Sequence, residues 1–135
     1  AMPLPKPVPV AAPVPEAISA EEAEALLQQY QAHYSAGNLA GLMALFSPKA
    51  ISLQGGRDAI AADYSRLFTG TRQRRIALSH PRWEAVEDTR RLRAGFQTEL
   101  AFAAGRAPQR RSGSLEILLV RENGKPRILE LLMTE

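Results

Sequence analysis

Residues 91–103 read Arg-Leu-Arg-Ala-Gly-Phe-Gln-Thr-Glu-Leu-Ala-Phe-Ala, and this alternation decides which way a whole sheet must face. Leu92, Ala94, Phe96, Thr98, Leu100 and Phe102 fall on one side, and Arg91, Arg93, Gly95, Gln97 and Glu99 on the other. A period of two over this length is the signature of a strand with one buried face. The apolar side carries no ionisable group, so it suits the wall of a core or pocket. The other side is too polar to form a dry interface by itself.

Working outward, Gly105 to Pro108 turn the chain into a strand from Arg110 to Arg121, and Asn123-Gly124 is a two-residue hairpin signal. Arg127 to Met133 closes the sheet. On the N-terminal side, Glu87, Asp88 and Thr89 form a turn from an earlier long strand, Arg74 to Ser79 and Arg82 to Val86. Pro81 interrupts that strand, where a bulge or bend is expected because proline has no N–H to give to the ladder.

Before residue 71 the apolar period changes to three and four. Ser19 and Glu22 form a capping box, with Glu21 and Glu24 placed where the helix dipole is positive. Ala23, Leu26, Leu27, Tyr30 and Tyr34 make one stripe, and Gly37 supplies a left-handed C-cap. Asn38 caps a second helix expected through Leu39, Leu42, Met43, Leu45 and Phe46, stopped by Ser47-Pro48. Ala50 to Leu53 is a short strand. Gln54, Gly55 and Gly56 turn into a third helix, with Asp58 in its first turn, Ile60, Tyr64, Leu67 and Phe68 inward, and its end near Gly70. Gly55-Gly56 lacks the spacing to Lys and Ser or Thr that a phosphate loop needs. The expected class is α+β, three N-terminal helices packed on a curved, mainly antiparallel sheet.

A chain of 135 residues suffices for one domain. Residues 1–18 form a Pro-rich linker, with Pro3, Pro5, Pro7, Pro9, Pro13 and Pro15 favouring an extended, semi-rigid spacer, and 19–135 form the domain. If Ala1 and Met2 are a cloning remnant, this is the C-terminal module of a longer protein. Such a spacer suits a protein tethered in a bacterial envelope, with a periplasmic placement, but composition equally fits a simple tail and leaves a cytoplasmic compartment open. No cysteine is present, and with His33 and His80 alone a thiolate or histidine-rich metal site is not expected; no cofactor is implied. No apolar run approaches the length of a membrane span.

The net charge of +3 is unevenly spread. Residues 57–111 hold twelve Arg against six acids, while the flanking segments are slightly acidic. Arg72, Arg74 and Arg75 are the densest run, but no aromatic is interleaved as a single-strand binder requires, so nucleic acid is not the expected partner.

The succession of helix, short helix after Gly37-Asn38, strand, Gly56-Arg57-Asp58-Ala59-Ile60 opening a helix that ends in Leu67-Phe68, then four strand segments, resembles the SnoaL-like group of the nuclear-transport-factor-two-like superfamily. The match spans Ser19 to Met133 and rests on fold-level pattern, without a catalytic motif. The resemblance implies a cone-shaped domain whose sheet wraps a pocket under the helices and whose outer face often dimerises. The superfamily includes scytalone dehydratase, ketosteroid isomerase, polyketide cyclases and pocketed domains without chemistry, so fold does not settle function.

Tyr34, Tyr64, Trp83, Phe96 and Thr98 are the expected pocket lining. Two candidate bases stand out. His80 lies at the Pro81 bend, near Trp83. Glu130 follows from hairpin counting: with Asn123-Gly124 as the loop, Leu119 meets Ile128 and Ile117 meets Glu130, placing the carboxylate among Leu115, Ile117, Leu119 and Leu132. An inward Glu130 would have a raised pKa and could act as a general base. Leu118, Val120, Leu129, Leu131 and Met133 would then form the opposite, uncovered face, an expected interface for a homodimer or for docking to the parent protein. The reading that results is a non-catalytic module for dimerisation, protein assembly or binding of a small apolar ligand. The competing class is an isomerase, dehydratase or cyclase using Glu130 or His80 as base with Tyr34 or Tyr64 as hydrogen-bond donor.

Overall fold

The computed structural model describes residues 17–103 and 105–135; the proline-rich stretch from Pro3 to Pro15 lies outside them. Helix α1 (Ala20–Ala36) opens at the capping box, in which Ser19 Oγ accepts from the Glu22 N–H and Glu22 Oε1 accepts from the Ser19 N–H, each at 3.1 Å. Arg121 on the final hairpin grips the same carboxylate through both guanidinium nitrogens, at 2.7 and 3.1 Å. That guanidinium, followed by the Ser19 amide, holds the Glu22 carboxyl down at about 2. One residue therefore caps a helix and pins it to the sheet. Ile18, within the expected linker range, is 1% exposed in the core.

At the other end of α1, Gly37 adopts φ +71°. Arg74 lies against it, donating to the Tyr34 and Ser35 carbonyls at 3.0 and 3.3 Å and so satisfying the helix end where the dipole is negative. Asn38 caps α2 (Leu39–Met43), its Oδ1 accepting from the Gly41 N–H at 3.0 Å. This helix is shorter than expected. Phe46 already belongs to strand β1 (Phe46–Ser52), where Ser47 and Pro48 were expected to end a helix. Pro48 is tolerated because the pairing of β1 is irregular between Phe46 and Ile51, so no ladder N–H is needed there.

The two-residue strand β2 (Gly55–Gly56) leads into α3 (Arg57–Gly70), followed by β3 (Thr71–Val86), β4 (Thr89–Phe102), β5 (Gln109–Glu122) and β6 (Lys125–Thr134). The sheet runs β2-β1-β6-β5-β4-β3, antiparallel except for the β1–β6 pair. The expected break in β3 is present: the register shifts between Ser79 and Arg82, and His80 has φ +50°. Along β4, Leu92, Ala94, Phe96, Thr98 and Leu100 are buried while Arg93 and Gln97 are exposed, as the alternation requires. Helices α1 and α3 cover the buried face, packing against β3 and β1 respectively.

The last hairpin differs from expectation in one residue, and that residue reverses half a strand. Glu122 faces Lys125 and Leu119 faces Ile128, but a bulge then places Leu118 opposite Glu130 and Ile117 opposite Leu131. The extra residue lets Ile128 and Leu131 both turn inward, where each is buried, and sends Glu130 outward. Regular pairing would have pushed a carboxylate into an apolar core and left Leu131 in water. The inward set is thus Leu115, Ile117, Leu119, Ile128, Leu131 and Met133, whereas Leu118, Val120 and Leu132 face out and Leu129 is half-buried at the bulge.

Candidate functional site

Beneath α1 and α3 the apolar side of the sheet stops short of complete packing, leaving a cavity of about 320 Å³. Ile60, Leu67, Phe96, Leu100, Leu131 and Met133 form its apolar wall. Tyr34, Tyr64 and Thr98 add hydroxyls, and Ser52, Gln54, Asp63, Arg111 and Glu135 also line it. Four of the five expected lining residues, Tyr34, Tyr64, Phe96 and Thr98, meet there. Trp83 does not; it faces Leu92 near the far end of the sheet, with the Arg90 guanidinium over its ring at 5.8 Å.

The tyrosines form a connected cluster with Phe46 and Phe68. Ring centroids of Tyr34 and Tyr64 lie 6.2 Å apart and nearly perpendicular, and Phe68 sits edge-on to Tyr34 at 6.1 Å. Tyr30 and Tyr64 share a buried hydroxyl–hydroxyl bond of 2.6 Å. Burial pushes both of these phenols above the usual tyrosine range. Burial likewise raises Tyr34, to about 12, against the opposing pull of the Arg74 and Arg111 charges. All three are neutral phenols at physiological pH. Among the described residues no group lies within hydrogen-bond reach of the Tyr34 hydroxyl, so this phenol is a free donor on the cavity wall.

The two candidate bases lie elsewhere. Glu130 is on the outer side of the sheet, 3.8 Å from Arg91 Nη1, in a network that joins Glu116 to Arg91 at 3.6 Å and to Arg93 at 2.7 Å. His80 lines a groove with Arg82, Arg93, Gly95, Glu116 and Leu132, which is also the outer side. Of the carboxylates on the cavity, Asp63 is paired with Arg66 one helical turn on, and Glu135 is exposed. Among the described residues no group of three or more acids and histidines is placed to hold a metal ion, and no helix is long and apolar enough to cross a membrane.

Sequence reading overlooked Arg111, although β4 contains the signal. Arg111 is the direct partner of Thr98, so it inherits the inward face that the alternation assigns to Thr98. The turn after Phe102 hid that register, because its length cannot be converted into a strand pairing by counting. The expected interface also changes. Leu131 and Met133 belong to the cavity wall, while Leu118, Val120 and Leu132 share the outer side with Ile51 and Leu53, two of the most exposed large apolar residues.

Comparison with solved structures shows the fold. The chain superimposes on a provisionally assigned scytalone dehydratase from Novosphingobium aromaticivorans with a TM-score of 0.78 at 17% identity, over 85% of this chain and 83% of that one. A nuclear-transport-factor-two-like superfamily protein from Salmonella enterica matches at 0.75 and 15% identity, over 84% and 88%. A provisionally assigned calcium/calmodulin-dependent protein kinase II association domain from Xanthomonas campestris matches at 0.74 and 16%, over 90% and 91%. No protein-family model matches the sequence, and no curated protein is similar enough to count as a relative. The fold is therefore that of the nuclear-transport-factor-two-like superfamily, the one the sequence pattern resembles.

Proposed function

We propose that this nuclear-transport-factor-two-like domain is a non-catalytic module that holds a small, largely apolar molecule between α3 and the sheet. The cavity of about 320 Å³ carries the proposal, since it lies at the small end of the range for ligand sites and apolar side chains and neutral phenols make up much of its wall, with Ser52, Gln54, Asp63, Arg111 and Glu135 completing it. Proton abstraction needs a base within hydrogen-bond reach of the substrate. The histidine of the β3 bend and Glu130 line the opposite side of the sheet, and Asp63 is engaged by Arg66, which favours binding over an isomerase, dehydratase or cyclase activity. The test is titration with the neutral fluorophore N-phenyl-1-naphthylamine, with Leu67→Trp filling the cavity from the half-buried face of α3. Saturable binding by the wild type and its loss in a folded variant are expected. Equal binding by both would remove the proposal.

A second role has its own support. Ile51, Leu53, Leu118, Val120 and Leu132 put apolar surface on the sheet face that no described helix covers, beside both positive and negative side chains. Such a self-complementary face suits a two-fold homodimer, and the name of the Xanthomonas neighbour points to association. Docking to a parent bacterial protein would use the same face. Light scattering should give a dimer for the wild type and a monomer for Leu132→Arg; a monomer in both would end the assembly reading.

A further inference from the structure

We propose that the cavity is built for an apolar molecule ending in an anionic group such as a carboxylate, with Arg111 and Tyr34 as its two anchors. The inference rests on the reading of the cavity as a ligand site and adds the chemical class of the ligand.

Arg111 sits on the inward face of β5, directly across from Thr98, at the solvent-exposed mouth of the cavity. Among the described residues its guanidinium makes one hydrogen bond, to Gln109 Oε1 at 3.3 Å, and no carboxylate lies within 4.0 Å of it. Arg110, the next residue back on the other face, is paired with Glu99 at 3.5 Å. The strand thus satisfies its outward guanidinium and leaves the inward one with most of its donors open. Five N–H groups in a planar fork match the paired oxygens of a carboxylate or another oxyanion. The Tyr34 hydroxyl, with no hydrogen-bond partner among the described residues, provides a neutral donor on the same cavity, and Thr98, opposite Arg111, adds a further hydroxyl. Below them the wall is Phe96, Leu100, Leu131 and Met133, which offers nothing polar to the rest of the molecule.

Two carboxylates share the cavity and bear on the sign of its field. Asp63 is neutralised by Arg66. Glu135 is exposed and beyond ion-pair distance of Arg111, and from its place in the lining its charge opposes an incoming anion. A neutral ligand can take a hydrogen bond from the guanidinium, whereas a carboxylate adds its charge and a second, parallel bond while its apolar body meets the aliphatic and aromatic part of the wall.

The experiment compares 2-naphthoate with the near-isosteric neutral 2-naphthamide by calorimetric titration, on wild type, Arg111→Gln, Tyr34→Phe and Glu135→Gln. The wild type should bind naphthoate at least about tenfold more tightly than naphthamide, the scale of a hydrogen bond to a charged group. Arg111→Gln should erase that preference by lowering naphthoate affinity at least about tenfold, with the wild-type circular dichroism kept, since an exposed side chain without an ion pair among the described residues has little part in the fold. Tyr34→Phe should lower the preference in part, and Glu135→Gln should raise naphthoate affinity. Equal binding of both compounds by the wild type, or a preference that survives Arg111→Gln, would overturn the anion assignment and leave the cavity as a neutral apolar site. Failure of either compound to bind, with loss of N-phenyl-1-naphthylamine binding as well, would overturn both readings.

Discussion

Glu130 and Leu131 are adjacent in sequence, and the bulge in β6 decides which of them is inside; paired truncations test that directly. Leu131 is 4% exposed and faces Ile117 across the hairpin. Truncating a buried leucine to alanine removes its transfer free energy and adds a cavity term, for roughly 2–5 kcal/mol. Leu131 already borders the cavity, so part of its surface lacks neighbours to lose, and Leu131→Ala should fall at about 2–3 kcal/mol. For a domain of this size that corresponds to a melting point lower by about 10 °C. Glu130 meets Arg91 at 3.8 Å with both side chains about a quarter exposed, and Arg91 keeps Glu116 as a second partner. Glu130→Ala should therefore cost less than about 1 kcal/mol. Urea unfolding followed by circular dichroism gives both values from the midpoints, provided the slopes agree. If the hairpin paired without a bulge, the large loss at Leu131 would vanish: Leu131→Ala would behave as a surface change of no more than about 0.5 kcal/mol, and Glu130→Ala would be neutral or stabilising by relieving a buried charge. A cost for Leu131→Ala below about 1 kcal/mol, with Glu130→Ala neutral or stabilising, would refute the register argument.

Three further outcomes follow from contacts made across the fold. Tyr30→Phe and Tyr64→Phe should each cost about 1–2 kcal/mol by stranding the other hydroxyl, and the double variant should cost clearly less than the sum; additive values would show that the 2.6 Å bond is not a coupled pair. Glu22 has its folded pKa lowered to about 2 from the ordinary 4.5, so its contribution is complete above pH 4.5 and is lost as pH falls towards 2. Urea midpoints measured from pH 6 to 2.5 should fall more steeply in the wild type than in Glu22→Gln, and parallel profiles would contradict the Arg121 grip. Gly37→Ala should lose about 1–2 kcal/mol, because a side chain must adopt positive φ and its Cβ would stand 2.5 Å from Arg74 Nη2; an unchanged melting point would show that the helix end re-forms around Arg74.

The sequence determined whatever is set by near neighbours. The Ser19–Glu22 box, the Gly37 and Asn38 caps, the bend at Pro81 and the Asn123-Gly124 turn are local events, each settled by side chains within a few residues of the backbone they organise. The Arg91 to Ala103 alternation extends that reach to a whole sheet face, since a strand cannot bury one of its sides without committing every second residue. Phe96 and Thr98 could be placed on the inward face for that reason, and Tyr34 and Tyr64 from the three- and four-residue spacing of the apolar stripes on α1 and α3. What only the tertiary structure decided depends on partners distant in the chain. Helix α2 stops at Met43 because Phe46 is held opposite Ile128, with the Ile128 N–H donating to the Leu45 carbonyl at 2.8 Å. Arg74, one of a basic run in the sequence, becomes a helix cap only when β3 passes the end of α1. Arg111 acquires its place at the cavity from pairing with Thr98 across a turn whose length does not reveal register. Glu130 leaves the core because one extra residue in β6 allows Ile128 and Leu131 to share it, a choice made by burial free energy summed over both strands and invisible to counting along either one.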